Sequence, residues 1–103
     1  MVSKALRYLG LAKKAGAVVT GSHTCTVNMK KSGIRLLIIA QDMAENGKKK
    51  IVRTAEHTGT PYAFWGSSED LSRITGTAGR FVFGITDERF AGVILQEIHK
   101  REE

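Results

Sequence analysis

The stretch Leu36-Leu37-Ile38-Ile39-Ala40 decides the fold. It is a continuous apolar run, too short for a helix, with Arg35 before it and Gln41 after it. Such a run reads as a central strand buried on both faces. Both faces of that strand then need cover, which argues for a sheet with helices on either side.

Working outward, helical patterns alternate with short strands. Upstream, Ser3 to Ala15 carries Ala5, Leu9 and Ala12 at helical spacing, with Lys4, Arg7 and Lys14 on another face. Ser3 can cap that helix, and Gly16 ends it. Ala17 to Thr20 is the first strand. A helix from Ser22 to about Ser32 follows, with Cys25 and Met29 inward and Gly33 closing it. Downstream, Gln41 to Glu45 reads as a loop. Asn46 is the expected cap of a helix in which Ile51 and Ala55, helped by Val52, face the core. Gly59 ends it, and Thr60-Pro61 leads into a third strand, Tyr62 to Trp65. Ser67 caps a short helix bearing Leu71 and Ile74; Gly76 to Gly79 is a loop; Arg80 to Thr86 is the fourth strand. Asp87 caps a last helix with Phe90 or Ala91, Ile94 and Ile98 at helical spacing, fraying from His99 to Glu103. The expected fold class is α/β, a three-layer α/β/α sandwich around a four-stranded mixed sheet. Residues 1–103 are expected to form a single domain.

Composition narrows the partners. The 103 residues, 42% hydrophobic and 25% charged, suit one globular domain that buries its own core. Cys25 is the only cysteine, which excludes an internal disulfide and suits a reducing compartment. No apolar run approaches the roughly 20 residues that span a bilayer, and the N-terminus lacks a signal-peptide layout. A cytoplasmic protein without a membrane partner, and monomeric, is the expectation. The net charge of +6 favours polyanions, nucleic acid first. Lys4, Arg7, Lys13 and Lys14 come early, then Lys30, Lys31 and Arg35, then the densest run, Lys48-Lys49-Lys50 with Arg53. Acids gather late, so the first half carries the positive field. Lysines near a helix N-terminus oppose the helix dipole. Lys48, Lys49 and Lys50 are therefore candidate phosphate contacts, although a solvated charged face is the plainer alternative.

Val18-Val19-Thr20-Gly21-Ser22-His23-Thr24 is the candidate site. A strand that feeds a helix through a glycine leaves the first N–H groups of the helix open and partly positive. Gly21 has no side chain to keep a ligand away, so a phosphate or base edge fits above Ser22, His23 and Thr24. A tight turn needing glycine for its own geometry is the competing reading. Other chemistry is thinly supported. Cys25 sits at a core position, His57 and His99 at surface ones, and no metal-ligand spacing occurs. No dinucleotide or phosphate-loop motif follows a strand. Gly76-Thr77-Ala78-Gly79-Arg80 precedes a strand and is a weak phosphate loop at best. An enzyme, a metal or a cofactor is not expected.

Further pieces run in order along nearly the whole chain: Leu9-Gly10-Leu11-Ala12-Lys13-Lys14-Ala15-Gly16, Val19-Thr20-Gly21, Leu36 to Asp42, Glu45 to Ile51, Pro61-Tyr62, Leu71-Ser72 and Gly84-Ile85-Thr86-Asp87. Together they resemble the kink-turn RNA-binding ribosomal protein family, in particular its small bacterial homologues. The resemblance implies an α/β/α sandwich and a ribosome-associated, RNA-binding role without catalysis. In that family the turn after the first strand reads glycine, any residue, asparagine, glutamate, two residues, lysine, and the asparagine and lysine reach guanines of sheared G·A pairs. Gly21 matches; His23, Thr24 and Val27 stand at the asparagine, glutamate and lysine positions. His23 can still hydrogen-bond or stack on a base, whereas Val27 does neither job of a lysine. The family's loop that cradles a flipped-out nucleotide corresponds to Thr77, Ala78, Gly79 and Arg80. By the same resemblance Lys30, Lys31, Arg35 and Lys48 flank the surface, and Gln41 and Asp42 complete it.

The leading expectation is a non-enzymatic module that binds structured RNA of kink-turn type. The alternative is a protein-interaction module of the same fold with weakened or lost RNA specificity, motivated by Val27. A small α/β enzyme using the Gly76 loop is the third.

Overall fold

The computed structural model describes residues 3–101. The chain runs α1 (Lys4–Lys14), β1 (Val18–Thr20), α2 (Ser22–Lys30), β2 (Leu36–Ile39), α3 (Glu45–Thr58), β3 (Tyr62–Phe64), α4 (Ser68–Thr75), β4 (Val82–Ile85) and α5 (Glu88–Arg101). Leu36 to Ala40 are all buried, and successive side chains leave the strand on opposite faces. Leu36, Ile38 and Ala40 join Ala5, Leu9, Leu71, Ile94 and Ile98 in one apolar cluster, under α1, α4 and α5. Leu37 and Ile39 join Cys25, Met29, Ile51 and Ala55 in another, under α2 and α3. The expected three layers are therefore present; in α4 the buried face is Leu71, Ser72 and Thr75, and Ile74, expected inward, is half-buried.

The strand order is β1-β4-β2-β3. β4 is antiparallel to both neighbours, with Val18 opposite Ile85 and Ile38 opposite Phe83; β2 and β3 are parallel, with Ile38 opposite Ala63. The sheet is thus mixed, as expected. The C-terminal ends of β1, β2 and β3 and the N-terminal end of β4 therefore share one end of the sheet.

The helix ends follow their chemistry, with two corrections. Ser3 Oγ accepts from the Leu6 N–H at 3.2 Å and Ser67 Oγ from the Asp70 N–H at 3.1 Å. Asp87 Oδ1 accepts from the N–H groups of Arg89 and Phe90. Gly16 and Gly59 take left-handed conformations, φ 74° and 72°, at the ends of α1 and α3. Asn46, however, is not a cap. α3 starts at Glu45, with Ala44 before it and no side-chain cap. Glu45 in the first turn offers the dipole a negative charge instead. Nor does Gly33 close α2 by left-handed geometry: Ser32 takes that conformation, φ 59°. Gly33 N–H bonds Asn28 O at 2.8 Å, and the same carbonyl would lie 3.3 Å from a Cβ on Gly33. At the C-terminus, buried Ile98 and the Lys100–Glu97 ion pair keep α5 helical past His99 to Arg101, where fraying was expected. Residues 102 and 103 lie outside the described residues.

Gly84 pairs with Val19 on one side and Leu37 on the other. A Cβ there would lie 2.5 Å from Ile34 Cδ1, 3.1 Å from Ile34 Cγ1 and 3.2 Å from Val19 Cγ2. Gly84→Ala should therefore overpack the α2–α3 side and destabilise the fold by about 1–3 kcal/mol. Urea unfolding would show a lower midpoint with an unchanged slope.

Candidate nucleic-acid interface

Gly21 turns the chain from β1 into α2 at φ 95°, ψ 148°, a conformation that favours glycine. Its N–H donates to Val82 O at 2.8 Å, which fastens the turn to the start of β4. Having no side chain, Gly21 leaves the first turn of α2 uncapped, and that turn holds no acidic residue. The N–H groups of Ser22, His23 and Thr24 are the open donors of a nine-residue helix, and all three residues are exposed. Arg80 lies across the same glycine. Its Nη1 is 3.2 Å from the place a Cβ on residue 21 would occupy. A guanidinium and the positive end of a helix thus meet at one point. The geometric reading of Gly21 holds, because the turn needs glycine for its dihedral angles and for the approach of Arg80.

The loop that delivers Arg80 is pinned by Ser72. Ser72 Oγ accepts from the Arg80 N–H and donates to the Arg80 carbonyl, each at 3.1 Å, while Thr77 N–H donates to Ser72 O at 2.9 Å. Left-handed Gly76 and Gly79 reverse the chain on either side of Ala78. Their small size leaves a shallow pocket of about 370 Å³ against α4, lined in part by Thr77, Ala78 and Gly79.

Gln41 and Asp42 lie at the same end of the sheet, where Gln41 N–H donates to Gly66 O at 2.9 Å. The Asp42 carboxylate is engaged within the fold. It accepts from the Ser68 N–H at 2.8 Å and the Ser68 hydroxyl at 2.6 Å, tying the β2–α3 loop to the start of α4. Those two bonds, the hydroxyl first, hold its pKa below the ordinary value of 3.8.

The basic residues disperse. Lys48 sits 3.5 Å from Glu45 Oε1 and 5.8 Å from the centre of the Phe64 ring, with 20% of its side chain exposed. Lys49 and Lys31 are exposed. Lys30 lines a groove between α2 and α3. Arg35 is not brought to this edge: its N–H bonds Ile85 O, at the opposite end of the sheet. Lys50, the last of the lysine run read as a candidate phosphate contact, shares the groove with Lys30. The phase of α3 was the available signal, since Gly47, Lys50 and Thr54 fall on one helical face. Val27, at the family's lysine position, is 36% exposed.

The family described as ribosomal protein L7Ae/L30e/S12e/Gadd45 has a sequence model that matches residues 3–94. The chain belongs to this family. Among its relatives, the RNA-binding protein YlxQ of Enterococcus faecium is 31% identical over 88 residues, covering 85% of this chain and 84% of that protein. The RNA-binding protein YlxQ of Bacillus subtilis is 29% identical over 87 residues, covering 84% and 87%. A solved protein of unknown function from Bacillus halodurans superposes with a TM-score of 0.90 at 26% identity, covering 95% of this chain and 99% of that one. A 15.5 kD RNA-binding protein of Giardia lamblia shares the fold, with a TM-score of 0.74 at 23% identity over 94% of this chain and 83% of that one.

As a member of this L7Ae-type family the chain offers no activated nucleophile at Cys25. Burial pushes that thiol up to about 12, and its Sγ lies 3.6 Å from Val19 O. His57 and His99 are exposed, as their positions implied. Among the described residues no helix is long and apolar enough to cross a membrane.

The Asp42–Ser68 link has a pH signature. A carboxylate whose folded pKa is depressed contributes stability that is fully present above the unfolded value and lost as pH falls through the folded one. Asp42→Asn should therefore lower the thermal midpoint at neutral pH. The gap from the unaltered chain should shrink as pH drops below 3.8 and continue to close under stronger acid. A gap that stays constant across that range would contradict the assignment.

Proposed function

We propose that this chain is a non-enzymatic RNA-binding protein that grips structured RNA of kink-turn type at one end of its sheet. The observation that carries the reading is the meeting of the open α2 N-terminus with the Arg80 guanidinium over Gly21. The printed names of its YlxQ relatives support RNA as the partner. Backbone N–H groups of Ser22, His23 and Thr24 bind a phosphate or a base edge without a side chain. His23 adds a side chain that can hydrogen-bond or stack. Arg80 supplies a planar fork suited to phosphate or guanine. Ala78 and Gly79 leave room for an unstacked base. Gln41 shapes the neighbouring loop, and Asp42 holds that loop to α4 without contacting RNA. Lys49 adds long-range attraction, whereas the charge of Lys48 is offset by Glu45. We place the protein in the cytoplasm, associated with the ribosome, as a monomer.

Filter binding tests this with two RNAs, a kink-turn and the same RNA with its sheared G·A pairs replaced by Watson–Crick pairs. The kink-turn should bind at least tenfold more tightly, about 1.4 kcal/mol. His23→Ala should shrink that preference roughly fivefold, the worth of one net hydrogen bond at ~1 kcal/mol. Equal binding of both RNAs would remove the kink-turn and leave a basic RNA binder. Failure to bind either would favour the protein-interaction module that exposed Val27 suggests.

A further inference from the structure

A groove of about 460 Å³ runs between α2 and α3. Both helices follow strands that end at the candidate edge, so both start there and the groove leads away from it. Its opening belongs to that edge, because Ser22 and His23 line it together with Met43 and Gly47. Thr26 and Lys50 come one turn further along, and Lys30 and Thr54 one turn beyond them.

The charges around the groove are sorted by side. No carboxylate lines it. α2 contains no acidic residue at all. α3 turns its two acids towards β3, where Glu45 pairs with Lys48 and Glu56 accepts from the Tyr62 hydroxyl at 3.1 Å. Among the described residues neither Lys30 nor Lys50 forms an ion pair. Two unpaired ammonium groups on one groove repel each other, and an anion between them removes that penalty. The remaining lining is hydroxyl-rich, with Ser22, Thr26 and Thr54 able to bond phosphate or ribose oxygens. A positively charged groove that tracks the backbone is how proteins hold single-stranded nucleic acid.

We infer that this groove holds a second, single-stranded stretch of the RNA's sugar–phosphate backbone, continuing from the Gly21 edge and gripped by Lys30 and Lys50. The inference rests on the RNA-binding reading above and extends it along the protein surface. The strand passing the α2 N-terminus enters beside His23. Its phosphates then meet Lys50 and Lys30 in turn. These contacts carry no base information, so they strengthen binding without choosing sequence.

The test is filter binding across a salt series, using a kink-turn RNA with no extension and with a single-stranded extension at either end. For the unaltered chain, one of the two extensions should raise both affinity and salt slope. In Lys30→Gln/Lys50→Gln the slope should fall by about 1.4, at ~0.7 per single-strand phosphate contact, which is roughly 25-fold in affinity at about 0.1 M salt. The benefit of the extension should vanish with it. Lys30→Arg/Lys50→Arg should retain most of both. Lys13→Gln/Lys14→Gln, which removes equal charge from α1 on the other face of the sheet, should leave the extension effect intact. Matching circular dichroism and thermal midpoints would establish that all variants are folded. An unchanged slope in Lys30→Gln/Lys50→Gln, or an equal loss in the α1 variant, would overturn the inference and leave the groove to a protein partner. If the unaltered chain bound none of these RNAs, the RNA reading itself would fall.

Discussion

The antiparallel insertion of β4 between β1 and β2 is the constraint on which the rest of the structure depends. Were β4 parallel to its neighbours, the loop that precedes it would open at the far end of the sheet. Arg80 would then be a strand's length from Gly21. Instead the loop arrives where β1, β2 and β3 finish, and the Gly21 N–H bonds Val82 O directly. Ala40 N–H does the same to Phe81 O, and Trp65 N–H to Ile39 O, so pairing extends past the strand ends and stiffens the edge. The cost of this arrangement falls on Gly84. Ile34 and Val19 crowd it, so a Cβ there fits only if the Ile34 side chain shifts.

The second organising principle is the disposal of negative charge. Around the candidate edge the carboxylates are occupied by local partners: Asp42 by Ser68, Glu45 by Lys48, and Glu69 and Asp70 by Arg73. Exposed ion pairs of this kind add little stability. Their effect on the field is larger: Lys48 offsets Glu45 and Arg73 offsets part of the Glu69 and Asp70 charge, whereas Ser68 leaves Asp42 ionised. The α2 N-terminus and Arg80 are left as positive features with no negative counterpart in the α2 first turn.

Local chemistry made much of this legible in the sequence. The apolar run at Leu36 marked the doubly buried strand, and the periodicity of Ala5, Leu9 and Ala12 marked the inner face of α1. Ser3, Ser67 and Asp87 cap helices because their side-chain oxygens reach nearby N–H groups. What stayed hidden depends on partners distant in sequence or on competition between close alternatives. Asp42 finds Ser68 across 26 positions. No local pattern marks it as a tether. Asn46 is a better cap than Ala44 by residue type, but the chain is already helical at Glu45. Arg35 follows two lysines in the sequence, and only the strand pairing sends it to the far end. The shared groove of Lys30 and Lys50 appears once two helices are set side by side.

The departures at His23, Thr24 and Val27 then acquire a physical interpretation. In the family's pattern a lysine one turn into α2 brings positive charge to the reading site. Here that position is apolar, and the cation beside the turn comes instead from Arg80, on a loop fastened by Ser72. The exchange is not neutral. An ammonium on a flexible stem makes point contacts, whereas a guanidinium presents a planar fork that pairs with two acceptors and stacks on bases. On the proposed reading, the selectivity of this chain passes from the helix to the loop opposite. Ser72 then bears on recognition through the backbone it fastens, which fixes the point from which the Arg80 side chain reaches Gly21.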